Sequence, residues 1–278
     1  MLQTRIALLM LFCSLSAFAG EMGRDLYLPV VGRAAGSGGR EYRTQLWLMN
    51  PTEHRVDVAI TFLRHASKDQ PQSISIRLPP ASSVTQDLDE RLLGAGNAVG
   101  ALRVRAKHEI AASARIYSVV AGEPVSRSVG ASMDAVAPNH AIAVGQKTLL
   151  AADPGARYKL YGVETSGSPI QISVRLLDEH AQQLASRRLY LEPRASHVWD
   201  LSAMMPQGKD ATWVEVSGVN GSGRCLVAGE SIYDGSRDSV FFTMSTVTTP
   251  RFRLSAAEIA VILAASLALI VAALVRRR

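Results

Sequence analysis

Asp234-Gly235-Ser236-Arg237-Asp238 sets two carboxylates on either side of a tight loop, with Glu230 just upstream as a third oxygen donor. Converging carboxylates on a loop are the raw material of a calcium site. Asp-Gly is also a strong hairpin signal, and a turn is the expected role of this segment. Gly145-Gln146-Lys147-Thr148 has the composition of a phosphate loop but lacks the adjacent Gly-Lys, the upstream glycine spacing and a following helix. Six histidines, His54, His65, His108, His140, His180 and His197, stand singly without metal-ligand spacing and are expected on solvent-facing strands and turns. No G-x-S-x-G elbow, H-E-x-x-H pair or paired-cysteine metal motif occurs. The residue types therefore predict a non-enzymatic chain with no catalytic residues, no metal and no cofactor.

Binding chemistry is better represented than catalysis. Trp47, Trp199 and Trp213, with Tyr158, Tyr161 and Tyr190, could stack on flat apolar faces such as sugar rings. Packing in a core or between domains is the commoner use of such residues. Trp47 is opposite in phase to Leu46 and Leu48, so it is expected to face outward and is the candidate ligand-facing aromatic. Trp213, within Thr212-Trp213-Val214-Glu215-Val216, is expected in a core, as a sandwich tryptophan often is. Cys225 lies in an apolar, strand-like run, which predicts a buried structural thiol.

The elements that must position these residues read as strands. Val56, Val58, Ile60 and Phe62 alternate with Asp57, Ala59 and Thr61, and Ile74, Ile76 and Leu78 alternate with Ser73, Ser75 and Arg77. A period of two marks a half-buried strand. Asp25 to Gly32 is expected as an edge strand because it contains Pro29. Ala101–Ala106 and Ile110–Val119 read as two further strands, and Asp87-Leu88-Asp89-Glu90 as the start of a single helical turn through Leu93. Short alternating strands and frequent turns predict an all-β fold of the sandwich class.

The pattern occurs twice. Pro80, Ser83 and Asp87-Leu88 recur as Pro193, Ser196 and Asp200-Leu201, shifted by 113, while Tyr42 and Ile116-Tyr117 recur as Tyr158 and Ile232-Tyr233, shifted by 116. A period this long signals duplicated domains, since solenoid repeats are much shorter. The expected organisation is a first β-sandwich at 20–135, a second at 140–247 and a tether at 248–255.

Both ends carry targeting signals. Residues 1–19 have a lone Arg5, an apolar stretch from Ile6 to Phe12, and Ala17-Phe18-Ala19 before Gly20, the pattern of a secretory signal peptide. Ile259 to Val275 is apolar except for Ser266, so 256–275 is expected to span a membrane once. Arg276, Arg277 and Arg278 then form a basic cytoplasmic tail by the positive-inside rule. Ala260, Ala264, Ala268 and Ala272 recur every fourth position, a candidate helix-packing face through which the anchor could form a homo-oligomer. A hydrophobic tail closed by arginines also fits a sorting signal that is clipped, but its usual recognition motifs are missing.

The formal charge is +6, but Arg5 and the three terminal arginines supply four of the thirty basic residues, leaving 26 against 24 acidic. With no basic cluster between Gly20 and Thr249, nucleic acid is not an expected partner. Tyr42 to Pro51, an alternating strand, Pro79-Pro80 and Ala112 to Tyr117 resemble uncharacterised bacterial exported proteins with tandem immunoglobulin-like β-sandwich modules and a C-terminal membrane anchor. The resemblance covers residues 26–245 at the level of pattern; it implies an envelope location and no assigned activity. The expected function is display of two sandwiches outside the cytoplasmic membrane, on the periplasmic or extracellular side, for protein interaction or scaffolding. The alternatives are a glycan-binding surface module and an accessory envelope enzyme with a loop-built site.

Overall fold

The computed structural model describes residues 21–36, 39–67, 69–120, 122–233 and 239–243. The fold is all-β. The first half comprises β1 (Met22–Ala35), β2 (Arg40–Asn50), β3 (Val56–Arg64), β4 (Gln72–Leu78), β5 (Ser82–Asp87), a one-turn helix α1 (Glu90–Leu93), β6 (Ala98–Val120) and β7 (Val129–Asp134). The second comprises β8 (Lys147–Ala151), β9 (Arg157–Glu164), β10 (Ile170–Leu177), β11 (Gln183–Leu191), β12 (Ser196–Asp200), β13 (Trp213–Gly221), β14 (Cys225–Ile232) and β15 (Ser239–Thr243).

Alternation does what it predicts. Val56, Val58, Ile60 and Phe62 of β3 are buried while Asp57 and Ala59 are exposed, so one face of the strand lines a core. In the first half seven strands form one sheet that folds over along β6. The N-terminal part of β6 pairs with β3 and β1, and its C-terminal part, from Ala111 to Val120, pairs with β2 and β7. Two leaves result, β4-β3-β6-β1 and β5-β2-β6-β7, and between them lie Leu28, Leu46, Leu48, Ile60, Leu102, Val104 and Ala114.

The second half has the same strand order in two separate sheets, β11-β10-β13-β8 and β12-β9-β14-β15. Here β13 and β14 take the places of the two parts of β6. The strand order thus repeats, although Tyr158 stands in the place of Thr44 and not of Tyr42. Leu88 N–H donates to the Thr44 carbonyl in the first half, and Leu201 N–H to the Tyr158 carbonyl in the second, both at 2.9 Å. The turns between β4 and β5 and between β11 and β12 each carry a non-glycine residue at positive φ, Ala81 at 44° and Arg194 at 56°.

Two expectations change. Ala101–Ala106 and Ile110–Val119 are one strand of 23 residues, because the chain stays extended as it passes from leaf to leaf, with the β1–β6 register slipping between Asp25 and Gly23. β1 is not a free edge: Pro29 sits where the β1–β6 register slips between Leu28 and Val31, so an irregularity accommodates the missing N–H. The helical turn is capped by Asp89, whose side chain accepts from the Arg91 N–H. Among the described residues no helix is long and apolar enough to cross a membrane. The signal peptide, the run 256–275 with its alanine face, Arg276 to Arg278 and the Asp234–Asp238 loop lie outside the described residues.

Candidate functional site

The two halves meet along a seam built from exchanged side chains. Tyr27, Leu63 and Ala101 of the first half belong to the second core, while Tyr161 and Ala228 of the second belong to the first, with Val198 and Phe241 packed beside them. Tyr27 and Val136 exchange backbone hydrogen bonds at 2.8 Å, and the Tyr27 hydroxyl donates to the Thr165 carbonyl at 3.3 Å. Ala66 N–H donates to the Ser196 carbonyl at 2.9 Å. Glu21 holds the connecting segment, accepting from the Ala137 N–H and lying 2.9 Å from both that nitrogen and the His140 ring. The described residues fall within one compact unit, and the exchanged cores are the physical reason.

Buried polar groups shape both sides of this seam. Glu164, the last residue of β9, is fully buried and accepts from the backbone N–H groups of Ser166, Gly167, Arg194 and Arg224 and from the Ser166 hydroxyl. Burial opposes its ionisation, but these donors outweigh burial and hold the carboxyl below the usual carboxylate range. Glu230 is 9% exposed and accepts from the Tyr161 hydroxyl at 2.5 Å. Burial first, and the adjacent Glu230 second, push the Tyr161 hydroxyl well above its ordinary pKa, so it stays a donor.

Two of the histidines that the sequence scatters are brought together here. The rings of His65 and His197 lie edge to face at 5.7 Å, and His197 stacks on Trp199 at 5.5 Å. Val198 N–H donates to His65 Nδ1 at 3.1 Å, a bond that needs Nδ1 unprotonated. Trp199 closes over Gly162, where an added Cβ would meet the indole at 2.8 Å. A second pair, His54 and His108, is 5.8 Å apart. Periodicity carries no signal for either pair because the partners come from distant strands. Among the described residues no group of three His, Cys, Asp or Glu side chains is placed to hold a metal.

Two grooves open on the seam. One, of about 750 Å³, has Arg64, Asp69 and Gln72 on the first half facing Tyr190, Glu192 and Arg194 on the second. The other, of about 290 Å³, is lined by Val30, Val31 and Val99 from one side and Tyr161, Glu230 and Phe241 from the other. Both bring polar and apolar side chains of the two halves together.

Trp47 points away from the core, half-buried beside its register partners Thr85 and Ser113, while Leu46 and Leu48 are 1% and 2% exposed. Trp213 is not in the core: it is 41% exposed, and Trp199 is the packed tryptophan. The phase of β13 explains this, since Val214 and Val216 take the inner face and leave Trp213 and Glu215 outside. Glu215 is paired there with Lys147 at 2.9 Å and Arg175 at 2.7 Å. Lys147, the lysine of the phosphate-loop-like segment, thus serves an ion pair. Cys225 is fully buried, and burial pushes its thiol pKa far up.

No family model matches the chain, and no curated protein matches it. One solved structure, described as "Crystal Structure of Thermotoga maritima 1070", aligns over 41% of this chain and 93% of its own, with 16% identity and a TM-score of 0.34.

Proposed function

We propose that the chain is a non-enzymatic, membrane-anchored envelope protein that displays two immunoglobulin-like β-sandwiches outside the cytoplasmic membrane for protein interaction or scaffolding. The observation that supports this most is the seam. Two sandwiches that exchange Tyr27 and Tyr161 between their cores make a stiff body that holds its outer faces at fixed spacing. A display module needs that stiffness, because a surface ordered in advance loses less entropy on binding. The anchor, at 256–275, and the secretory signal, at 1–19, are read from the sequence. Partner capture tests the function: a photo-crosslinking group at Tyr190 in membrane-embedded chains should yield discrete covalent adducts with another envelope protein. Turnover of ester, glycoside or peptide substrates, abolished by one loop substitution, would instead make it an enzyme.

Glycan binding is the second reading, supported by outward-facing Trp47 with Gln45 two residues away on the same strand and that residue's register partners Asp87 and Arg115 on the neighbouring strands. Retention on a glycan array that is lost with Trp47→Ala would favour it.

A further inference from the structure

The internal duplication gives every face of one sandwich a counterpart on the other, and the contact between the two sandwiches uses two different faces. The second sandwich contributes the outer face of β12-β9-β14, centred on Tyr161 with its register partners Val198 and Ala228. The first contributes the outer register pair Leu63–Ala101, from β3 and β6. Each therefore has an unused counterpart. Tyr161 lies three residues before Glu164, and Trp47 lies three residues before Asn50, the corresponding strand end. Trp47 has Thr85 and Ser113 where Tyr161 has Val198 and Ala228. The counterpart of the Leu63–Ala101 pair is the pair Leu177–Trp213, from β10 and β13, in which Leu177 is 5% exposed and Trp213 is the side chain open to solvent.

Both unused faces expose a large apolar side chain. Trp213 is 41% exposed, and beside half-buried Trp47 the same strand exposes 49% of Met49. Large apolar side chains at both ends of a repeated contact, and buried ones in its middle, are the arrangement of a chain of units whose terminal contacts are open. Leu149, also on the outer face of β8, is 42% exposed next to the Glu215 ion pairs.

We propose that a second copy of this chain binds head to tail, with the Leu177–Trp213 surface of one copy seated on the Trp47 face of the next, repeating between chains the contact already made within each. The proposal rests on the reading of the chain as an interaction module and names the partner of that module. The contact is heterologous: the two copies use different surfaces, so association continues into a row unless the rotation closes a ring. This sets it apart from pairing through the alanine face of the anchor, which would place like residues together.

The test uses full-length chains in membranes, one population carrying Trp47→Cys and the other Trp213→Cys, with a bismaleimide reagent spanning roughly 10 Å, a length that allows for side-chain reach across a packed interface. Trp213 is exposed, Trp47 lies half-buried on an outer face and Cys225 is buried, so unsubstituted chains set the background. The mixed population should give covalent dimers at least ten-fold above either population alone, and Met49→Lys in the Trp47→Cys chain should cut that yield several-fold. A mixture no better than its components, or dimers from either substitution by itself, overturns the contact. Absence of product while Trp47 crosslinks to a different envelope protein also overturns it, and leaves the display function standing.

Discussion

Asn50 and Glu164 stand at the same place in the two sandwiches, as the last residues of β2 and β9, and both are fully buried. They organise their turns with opposite chemistry. Asn50 donates through Nδ2 to the carbonyls of His54 and Pro79, both at 2.7 Å, and accepts from Thr52. Glu164 only accepts. A neutral amide that gathers carbonyls has been matched by a carboxylate that gathers N–H groups, so the two positions cannot exchange residues.

Asn50→Asp should therefore destabilise the protein by about 2–3 kcal/mol, because a carboxylate would face two carbonyl oxygens without a proton to offer. Glu164→Ala should cost about as much, since it leaves four part-buried backbone N–H groups without their acceptor. Urea midpoints at pH 7 measure both; a loss under 0.5 kcal/mol for either would remove its role as a turn organiser. Glu164 ionises more easily folded than unfolded, so its contribution is present at neutral pH and is lost as pH falls through the acid range below the ordinary carboxylate pKa.

Exchange of Tyr27 and Tyr161 predicts a single calorimetric unfolding transition for both sandwiches. Tyr161→Ala should lower stability by about 3–5 kcal/mol, as large aromatic truncations do, and split the transition in two. Two separate transitions in the unmodified protein would show that the seam does not couple the halves.

Acid should loosen the same seam. Burial, then the neighbouring His65, hold the His197 pKa below the ordinary imidazole value, while Glu192 pulls weakly the other way. The unfolded chain then binds protons more readily than the folded one, so stability is full above about pH 6.5 and declines below it. The melting temperature should fall between pH 7.5 and pH 5.5, and His197→Gln should flatten that fall. An unchanged slope in the variant would place the effect elsewhere.

Tyr158 carries a buried hydroxyl with no hydrogen-bond partner among the described residues, held over Gly229. Tyr158→Phe should leave stability unchanged or raise it by about 1 kcal/mol, because an unsatisfied polar group is removed with little change of shape. Gly229→Ala should cost several kcal/mol by overpacking, since its Cβ would collide with that hydroxyl. Thermal melts should place Tyr158→Phe level with or above the parent chain and Gly229→Ala well below it.

Cys225 should resist thiol reagents in the native state and react only once the chain is unfolded, because reaction needs an accessible thiolate. Labelling at the native rate of a free thiol would mean the β14 strand opens readily.

The parts of this fold that are local in origin were legible in the residues. The alternation of β3 and β4 declares their buried faces, and Pro80, Ser83 and Asp87-Leu88 match their later counterparts closely enough to expose the duplication. What stayed hidden depends on contacts across the chain. Lys107-His108-Glu109 looks like a break between strands, and the β1–β6 register does slip there between Asp25 and Gly23, yet the chain stays extended because both flanks are paired, with β1 and β3 on one side and β2 and β7 on the other. The phase of Trp47 could be taken from Leu46 and Leu48, whereas Trp213 looked like a sandwich-core tryptophan, although Val214 and Val216 already marked the opposite face. No periodicity announces that His65 will meet His197, or that Tyr27 will leave its own core.

The 23-residue β6 also dictates the order in which the first sandwich can come together. β1, β2, β3 and β7 all pair with it, so it is the hub of their sheet, yet five strands are synthesised before it. A growing chain that has emerged only as far as Gly96 can close the β3–β4 and β2–β5 ladders and the tip of β1 on β2, while most of β1 waits for a partner dozens of residues away. Such distant pairing is slow and leaves apolar strands such as Leu26-Tyr27-Leu28 unpaired in the interval. Nascent chains of the first sandwich should therefore depend on a holding factor until Val120 is out, and a halt in translation within β6 should be the stage most prone to aggregation.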